Sequence, residues 1–375
     1  MNYDENIYAE VVFDGVETHA PERMGTPKVD QLQGTTFERL AELAGRVCYD
    51  SLGKGRSSKA YHQHIAEVGH GSVWEHANFT VAFKDPYAWG DLSPLFSIFA
   101  NRPGVWVSHP SPDSMGVTVN LRSVVEWDAQ TSPTLTNPSL AAFVRARIVS
   151  CAHRLAPQIV HSGMLTPIQD IPDKPIRSCL AIPANREEKW VSLLLGGSRG
   201  MSHEQVRHKF RTAVSQRSTR YVDESTSPWV EHPLTTEWLS LPNVPTDTFK
   251  QVIHNSQEQS RAVYETVAES QQGWLESRGV DKHTSRKQAR GAARGFLGNA
   301  LATEMIFSAS VAQWRRMLAQ RCTIHADAEI RVLYGKVFQA LKTTHWADDF
   351  ADLTLVPSPD GIGEVLAREV SSTGE

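Results

Sequence analysis

The chain has 375 residues, of which 38 are Lys or Arg and 42 are Asp or Glu, so its formal net charge is 38 − 42 = −4. With 40% hydrophobic and 21% charged residues, the composition is that of a globular protein and argues against extended disorder. The near-neutral charge is atypical of a protein that coats nucleic acid or an acidic membrane. The length predicts one large domain or two.

The cysteines and the N-terminal residues bear on the cellular compartment. Cys48, Cys151, Cys179 and Cys322 lie far apart without a C-x-x-C pair, which argues against a zinc ribbon or a disulfide scaffold. The N-terminal segment is acidic and lacks the apolar stretch of a signal peptide. No apolar run approaches the ~18 residues that a membrane span needs. We therefore expect a soluble, cytoplasmic protein.

The first 85 residues have the pattern of a strand, two helices and a second strand. Thr35 and Glu38 have the spacing of a capping box, which predicts a helix start, and Gly69 suits the position just past a helix end. Apolar residues recur on one helical face as far as Val47. The predicted elements are a strand at Tyr8–Phe13, a helix that begins after Thr35, a helix over Ser58–Val68 and a strand over Asn78–Phe83.

Residues 86–188 differ in composition from the segments on either side. They are rich in proline and hold several short apolar runs, such as Val117–Val125. One helix is predicted over Leu140–Leu155, because Asn137 and Pro138 form a good pair of cap and first-turn residues. We interpret these residues as an inserted, mixed α/β subdomain of unknown role.

From residue 189 onward the pattern becomes mostly helical, which predicts the α+β class for the whole chain. Gly196 and Gly197 are predicted to end a buried strand. Ser202 is predicted to cap a helix that contains Arg207 and His208. The remaining predictions are a strand over Trp190–Leu195, helices at 247–278, 283–296, 299–321 and around Ile330–Leu341, and a flexible tail at 356–375.

The densest polar segment is Arg207–Tyr221, which holds five Arg or Lys residues and one histidine among hydroxyl side chains. Three interpretations fit this composition. The first is a solvated basic face, the second is a helix that contacts RNA or DNA phosphates, and the third is a small-molecule phosphate site. The spacing of the charges alone does not choose between them.

The same segment resembles the R-H-R-x7-S signature of the flavin-dependent thymidylate synthases, followed by an S-x-R-Y match at Ser218–Tyr221. Further stretches resemble this family in the same order along residues 1–83 and 189–340. They are R-V-C-Y at Arg46–Tyr49, G-H-x-S-x-x-E-H-x-x-F at Gly69–Phe79, S-R-x-x-x-H at Ser198–His203 and A-R-x-x-L at Ala293–Leu297. In addition, Arg321 together with Ala328–Arg331 resembles the family's L-R…A-x-x-E-I-R at the end of the core.

The resemblance implies a fold, a reaction and an assembly. The fold would be a core of antiparallel sheet and long helices, formed by residues 1–85 and 189–345 and interrupted by the insertion 86–188. The reaction would be the reductive methylation of dUMP to dTMP, with methylenetetrahydrofolate as carbon donor and NADPH-reduced FAD as hydride source. The active sites would lie between the subunits of a homotetramer, with no nucleic-acid partner.

The resemblance also implies roles for individual residues. Ser218 matches a serine once considered a nucleophile, but no histidine lies at a spacing that would activate it, so we assign it to positioning. Arg321 matches an arginine that hydrogen-bonds the pyrimidine edge. The catalytic set is Ser218, Arg321 and His70. The cofactor-binding set is Ser72, Glu75, Arg207, His208, Lys209 and Gln216. The substrate-binding set is Glu204, Arg217, Ser218, Thr219, Arg220, Arg294 and Arg321.

Several features depart from the family pattern. Lys209 replaces the last arginine of the triplet, so a bidentate fork becomes a point charge. Eight residues rather than seven separate the triplet from Ser218, which predicts an altered turn. Glu204 stands where the family has Gln. The family's N-A-R is Ser310-Val311-Ala312 here, which removes a flavin contact.

Two alternatives remain open. One is a related flavin-dependent methyl- or hydroxymethyltransferase that acts on another pyrimidine nucleotide, dCMP or UMP. The other is a non-catalytic nucleotide- or nucleic-acid-binding protein that uses the segment Arg207–Arg220. A zinc site is not expected, because His203 and His208 lie five residues apart and would diverge on a helix.

Overall fold

The computed structural model describes residues 4–24, 31–84, 103–111, 114–126, 138–161 and 177–367. The α+β prediction is confirmed, since helices combine with antiparallel sheets. The strands are β1 (Tyr8–Phe13), β2 (Asn78–Lys84), β3 (Val105–Ser111), β4 (Ser114–Asn120), β5 (Arg177–Leu180), β6 (Trp190–Ser198), β7 (Thr212–Gln216), β8 (Ala302–Ser310), β9 (Leu355–Pro357) and β10 (Glu364–Leu366). The α-helices are α1 (Thr36–Cys48), α2 (Ser58–Glu67), α3 (Leu121–Glu126), α4 (Pro138–Leu155), α5 (Arg199–Gln205), α6 (Pro233–Leu239), α7 (Thr246–Ser277), α8 (Lys282–Ala293), α9 (Val311–Arg321) and α10 (Ala328–Leu341).

The first sheet is antiparallel and has the strand order β1-β6-β8-β7. Its central strands β6 and β8 pair along their whole lengths, from Trp190 opposite Ser310 to Ser198 opposite Ala302. Every residue of β6 is buried. A strand covered on both faces has a continuous apolar sequence, which is the pattern that predicts β6.

Two predictions about this sheet are wrong. Gly196 and Gly197 do not end β6, which continues to Ser198. A Cβ atom on Gly196 would lie 2.2 Å from Cε1 of Tyr8, so glycine is required where β1 approaches closely. The predicted single helix at 299–321 is instead β8 followed by α9, because β8 finds strand partners on both sides.

The helices that flank the first sheet confirm other predictions. Thr35 and Glu38 form the capping box at the start of α1, and Gly69 has a φ of +69° just after α2. Trp314 of α9 is fully buried, with its ring centroid 5.5 Å from that of Phe307 in β8. The long helix predicted at 247–278 is α7. The apolar stripe predicted for α10 is buried: Ile330, Leu333, Val337 and Leu341.

The second sheet has the strand order β3-β4-β2-β5. Strand β2 precedes the insertion in the chain but lies inside this sheet, paired with β4 on one side and β5 on the other. The apolar core beneath it includes Phe83, Val117 and Ile148, the last from α4. The strands of the segment predicted to be an insertion are thus paired directly or through β4 with β2. Asn137, predicted to cap α4, lies outside the described residues.

The helix before the signature begins earlier than predicted. Ser198, rather than Ser202, is the N-cap of α5. The buried carboxylate of Glu329 fixes this start, since it accepts hydrogen bonds from the backbone N and the Oγ of Ser198, each at 2.6 Å. Helix α5 ends before Arg207 and His208, which lie in the turn that follows.

The C-terminal segment differs from the predicted loose tail. Strands β9 and β10 form an antiparallel hairpin, and the backbone N of Leu366 donates to the carbonyl of Cys322 at 3.0 Å. The buried guanidinium of Arg331 pairs with Asp360 at 2.5 Å. These contacts with α9 and α10 hold the hairpin in place. The polar composition of the segment predicted a flexible tail because it does not reveal such long-range contacts. Residues 368–375 of the predicted tail lie outside the described residues.

Candidate active site

The signature segment runs from the end of α5 through a turn into β7. Eight residues separate the triplet Arg207–Lys209 from Ser218. Arg211, within this stretch, has a φ of +50°, in the left-handed region that residues other than glycine rarely adopt. Its guanidinium is anchored by Glu187 at 2.6 Å and lies 5.5 Å from the ring centroid of Trp106. The altered turn predicted for the extra residue is therefore centred on Arg211.

Arg321, Glu204 and His208 form one hydrogen-bonded cluster. Nη1 of Arg321 lies 2.7 Å from Oε2 of Glu204, and Nε of Arg321 donates to Nε2 of His208 at 3.0 Å. Burial, together with the nearby charge of Arg321, lowers the pKa of His208 to about 4. The imidazole is therefore neutral near pH 7, and we assign its proton to Nδ1 because Nε2 accepts. The structure thus brings together three of the predicted site residues.

His70 is held by a tyrosine at the end of α1. The hydroxyl of Tyr49 lies 2.8 Å from Nδ1 of His70, and the two rings are nearly parallel, at an interplanar angle of 12°. The ring of Tyr221 meets Tyr49 edge-on, with centroids 4.8 Å apart. Burial raises the pKa of the Tyr49 phenol, so its hydroxyl stays protonated and can donate to His70. The sequence motif contains Tyr49 without giving it a role, and the structure shows that it orients His70.

The loop after β7 is fixed through its backbone. The backbone N of Arg217 donates to the carbonyl of Glu304 at 2.8 Å. The backbone N of Ser218 donates to the carbonyl of Cys48, also at 2.8 Å, which ties the loop to the end of α1. Thr219 is buried. The predicted nucleotide loop therefore has a fixed path, determined by contacts with β8 and α1.

Buried polar side chains lie beneath this loop. Nδ1 of His76 is 2.7 Å from Oγ of Ser308, and its Nε2 is 3.0 Å from Oγ of Ser215. Burial lowers the pKa of His76 to about 3, so His76 is a neutral, structural group. Gln216 donates from Nε2 to Oγ of Ser202 at 2.9 Å and to Oγ1 of Thr303 at 3.2 Å, so both of its amide hydrogens are engaged within the protein.

Four cationic side chains gather around Tyr221 and the start of α5. The Arg220 guanidinium lies 5.7 Å, and the Lys287 ammonium 4.9 Å, from the ring centroid of Tyr221. Burial lowers the pKa of Arg199; the charge of Glu224 opposes this shift, and the charge of Arg294 adds to it. Within the described ranges, no ion pair joins Arg220, Lys287 or Arg294 to a carboxylate. These three cations, which have no carboxylate partner among the described residues, are suited to bind a small anion such as a phosphate.

Two members of this cationic group were missed by the sequence analysis. Arg199 lies in the S-R-x-x-x-H stretch that was quoted for the family resemblance but was given no role. Lys287 lies seven residues before Arg294, which is about two helical turns along the same face. That spacing is the signal that could have identified Lys287.

The residues implied to contact flavin do not form one cluster. Glu75 and Lys209 line a common cavity of about 710 Å³, whereas Ser72 and Arg207 lie exposed on the surface. The carboxylate of Glu75 pairs with Arg122 of α3 at 2.5 Å. Arg122 belongs to the insertion, 47 residues along the chain from Glu75, so no spacing rule connects the two. The sequence analysis missed Arg122 for this reason.

The part of the chain that the structure describes contains neither a metal-binding cluster nor a membrane-spanning helix. Among the described residues, no group of three or more His, Cys, Asp or Glu side chains is placed to hold a metal ion. None of the helices in that part is long and apolar enough to cross a membrane.

Comparison with known proteins identifies the family of this chain. The model of the family described as "Thymidylate synthase complementing protein" matches residues 31–88 and 191–345, which is more than half of the chain. The chain belongs to this family. The family resemblance inferred from the sequence motifs is therefore confirmed, and the matched segments leave out most of the insertion predicted at 86–188.

Three relatives carry the name flavin-dependent thymidylate synthase. A flavin-dependent thymidylate synthase of Mycobacterium marinum is 34% identical over 190 residues, which is 49% of this chain and 71% of the relative. Flavin-dependent thymidylate synthases of Mycolicibacterium gilvum and Mycobacterium tuberculosis are 36% and 32% identical over 47% of this chain. The chain spans 66% of the length of each of these two relatives.

Proposed function

We propose that this protein is a flavin-dependent thymidylate synthase, which methylates dUMP to dTMP with methylenetetrahydrofolate as carbon donor and NADPH as reductant. Its family membership and the names of its relatives support this activity. The observation that carries the proposal is the cluster of Arg321, His208 and Glu204. This cluster holds the Arg321 guanidinium, paired with the carboxylate of Glu204, beside a neutral imidazole at the signature turn.

The phosphate of the nucleotide would bind the cationic group of Arg199, Arg220, Lys287 and Arg294. A guanidinium without a carboxylate partner gains a strong charge-assisted hydrogen bond when a phosphate arrives. Arg220 lies two residues after Ser218, whose backbone N donates to the carbonyl of Cys48. The phosphate and the nucleoside would therefore be held by one loop.

The pyrimidine ring would be held by Arg321 and the loop. Arg321 can stabilise the negative charge that develops on the ring during reaction, because Glu204 and His208 hold its guanidinium in place beforehand. His208 stays neutral and so adds no second charge. Ser218 would position the nucleotide rather than attack it, since no histidine within the described ranges is hydrogen-bonded to its hydroxyl. Arg217, tied to Ser227 at 3.1 Å, would support the same loop.

The residues proposed to hold FAD fit that cofactor in charge. Arg207 and Lys209 are exposed cations that form no ion pair with any described carboxylate, which suits the diphosphate. Ser72 is exposed, and His70 is oriented by its tyrosine, so both can contact a polar ligand. Gln216 would lie at the edge of this site. FAD, when bound, would supply the hydride that completes the methyl group, which no side chain can provide.

We also propose that the chain forms a homotetramer. Helix α7 has 32 residues, all of them described, of which Tyr264 is the one that is buried. Its exposed apolar side chains include Phe249, Val252 and Trp274. A long helix gains most of its stability from packing, so α7 is expected to pack against further copies of the chain. Light scattering of the purified protein measures this directly, and a monomer would contradict it.

One spectrum and one assay test the proposed activity. Purified protein should show the absorption bands of an oxidised flavin, or gain them on incubation with FAD. With methylenetetrahydrofolate and NADPH it should convert dUMP to dTMP. Protein that neither contains nor takes up FAD would overturn the proposal. Turnover of dCMP or UMP in place of dUMP would favour the related transferase instead.

A further inference from the structure

The insertion meets the predicted flavin residues along one defined contact. Helix α3 of the insertion packs against the 3₁₀ turn Gly71–His76, which carries Ser72 and Glu75. Arg122 of α3 lies 2.5 Å from Oε1 of Glu75 and 2.7 Å from Oε1 of Glu126. One guanidinium thus bridges a carboxylate of the family core and a carboxylate of the insertion.

The same contact closes a cavity of about 710 Å³. One side of this cavity is formed by Glu75 and by the signature turn, including Lys209. The other side is formed by the insertion, including Trp106, Asn120 and Arg122. A cavity of this size is in the range of small-molecule and cofactor sites.

The charges in this cavity favour a ligand that has both an anionic group and neutral polar groups. Lys209 forms no ion pair within the part of the chain that the structure describes. Glu75 on its own would repel a diphosphate, but Arg122, which it shares with Glu126, reduces this repulsion and fixes the direction of the Glu75 carboxylate. Trp106 adds a ring that is partly exposed in the cavity wall.

We propose that the insertion forms one wall of the flavin site, and that Arg122 is a positioning residue that holds Glu75 for contact with FAD. This inference rests on the proposed function, and it assigns a role to a segment that lies outside the matched family segments.

The test uses the full chain after its flavin has been removed. The Kd for FAD is measured from the quenching of flavin fluorescence on binding. Arg122→Met should raise the Kd for FAD about fivefold, a modest loss because both partners are about one-third exposed and water screens the pair. Arg122→Lys should raise the Kd for FAD by a smaller factor, since it keeps the positive charge. Arg154→Met, which removes an exposed arginine of the same insertion on α4, is the matched control and should bind FAD like the parent.

A double-mutant cycle separates positioning from a general defect in folding. If Arg122 acts through Glu75, Arg122→Met should change the Kd for FAD less than twofold in a Glu75→Gln background. An undiminished loss in that background, or parent-like binding by Arg122→Met, overturns the inference. A parent protein that binds no FAD overturns the proposed function itself, so the two failures are distinguishable.

Discussion

The two four-stranded sheets of this protein are similar in size but differ in what they contribute. The first sheet, β1-β6-β8-β7, leads at its strand ends into the signature turn, the nucleotide loop and α9, which carries Arg321. The second sheet, β3-β4-β2-β5, takes one strand from the family core and three from the insertion. The signature turn, the nucleotide loop and Arg321 therefore follow strands of the first sheet, whereas His70, Ser72 and Glu75 lie in or next to the turn that leads into β2 of the second sheet.

The two sheets also share a buried polar connection. His76, in the turn that leads into β2, contacts Ser215 of β7 and Ser308 of β8. This imidazole joins the start of the second sheet to two strands of the first. We therefore expect the two sheets to unfold together, although their apolar cores are separate.

The largest expected effect concerns whether the two sheets unfold together. Trp314→Ala in the first core and Phe83→Ala in the second should each lower the free energy of unfolding by about 3–5 kcal/mol, because each leaves a cavity. Chemical denaturation followed by circular dichroism measures both values. Val16→Ala, at an exposed position, is the control. A separate early transition in Phe83→Ala would show that the second sheet unfolds independently.

The next effect tests whether the first sheet carries the chemistry. Arg321→Ala should lower the rate of dTMP formation by about 10²–10³-fold, the cost of removing one preorganised donor that stabilises developing charge. Arg316→Ala removes an exposed arginine from the same helix and should leave the rate nearly unchanged. A rate within threefold of the parent for Arg321→Ala would exclude the role proposed for Arg321.

A smaller effect separates the nucleotide and flavin sites. Arg294→Ala should raise the Kd for dUMP about thirtyfold, because a charge-assisted contact to phosphate is lost, with little change in the Kd for FAD. Isothermal titration with each ligand gives both constants. Arg278→Ala, beyond the end of α7, should change neither. Equal losses for the two ligands in Arg294→Ala would indicate a defect in the fold.

The smallest effect is the contribution of His76, which connects the two sheets, to the pH dependence of the free energy of unfolding. The ordinary histidine pKa of 6.5 applies in the unfolded chain, whereas burial lowers the pKa of His76 to about 3. Below pH 6.5 the unfolded state therefore binds a proton that folded His76 does not, and the free energy of unfolding falls as the pH drops toward 3. This one group should contribute on the order of 1 kcal/mol of that loss by about pH 5.5.

The matched variant is His76→Gln, which keeps a hydrogen-bonding side chain but cannot titrate. Its stability should fall less steeply than that of the parent between neutral and mildly acidic pH, as measured by urea denaturation. An identical slope in parent and variant would mean that His76 does not titrate as a buried neutral group.

Elements that depend on neighbours in the sequence were predicted well. The capping box of Thr35 and Glu38, the φ of Gly69 and the buried stripe of α10 all follow from spacings within a few residues. The family motifs are equally local, and they identified the family that the comparison then confirmed. The roles assigned to individual site residues remain predictions, although the structure brings Arg321, Glu204 and His208 together.

What only the tertiary structure decided depends on partners that are distant in the sequence. Residues 302–310 form a strand because β6 and β7 flank them, and β6 continues through Gly196 because this residue pairs with Tyr8 of β1 and Glu304 of β8. The pair of Arg122 and Glu75 exists because the insertion is built onto β2. The sequence by itself determined the local elements and the family, since short-range sterics and hydrogen bonds specify both. Long-range pairing decided the strand order and the contact between Arg122 and Glu75, because no local pattern encodes which distant side chain will lie opposite.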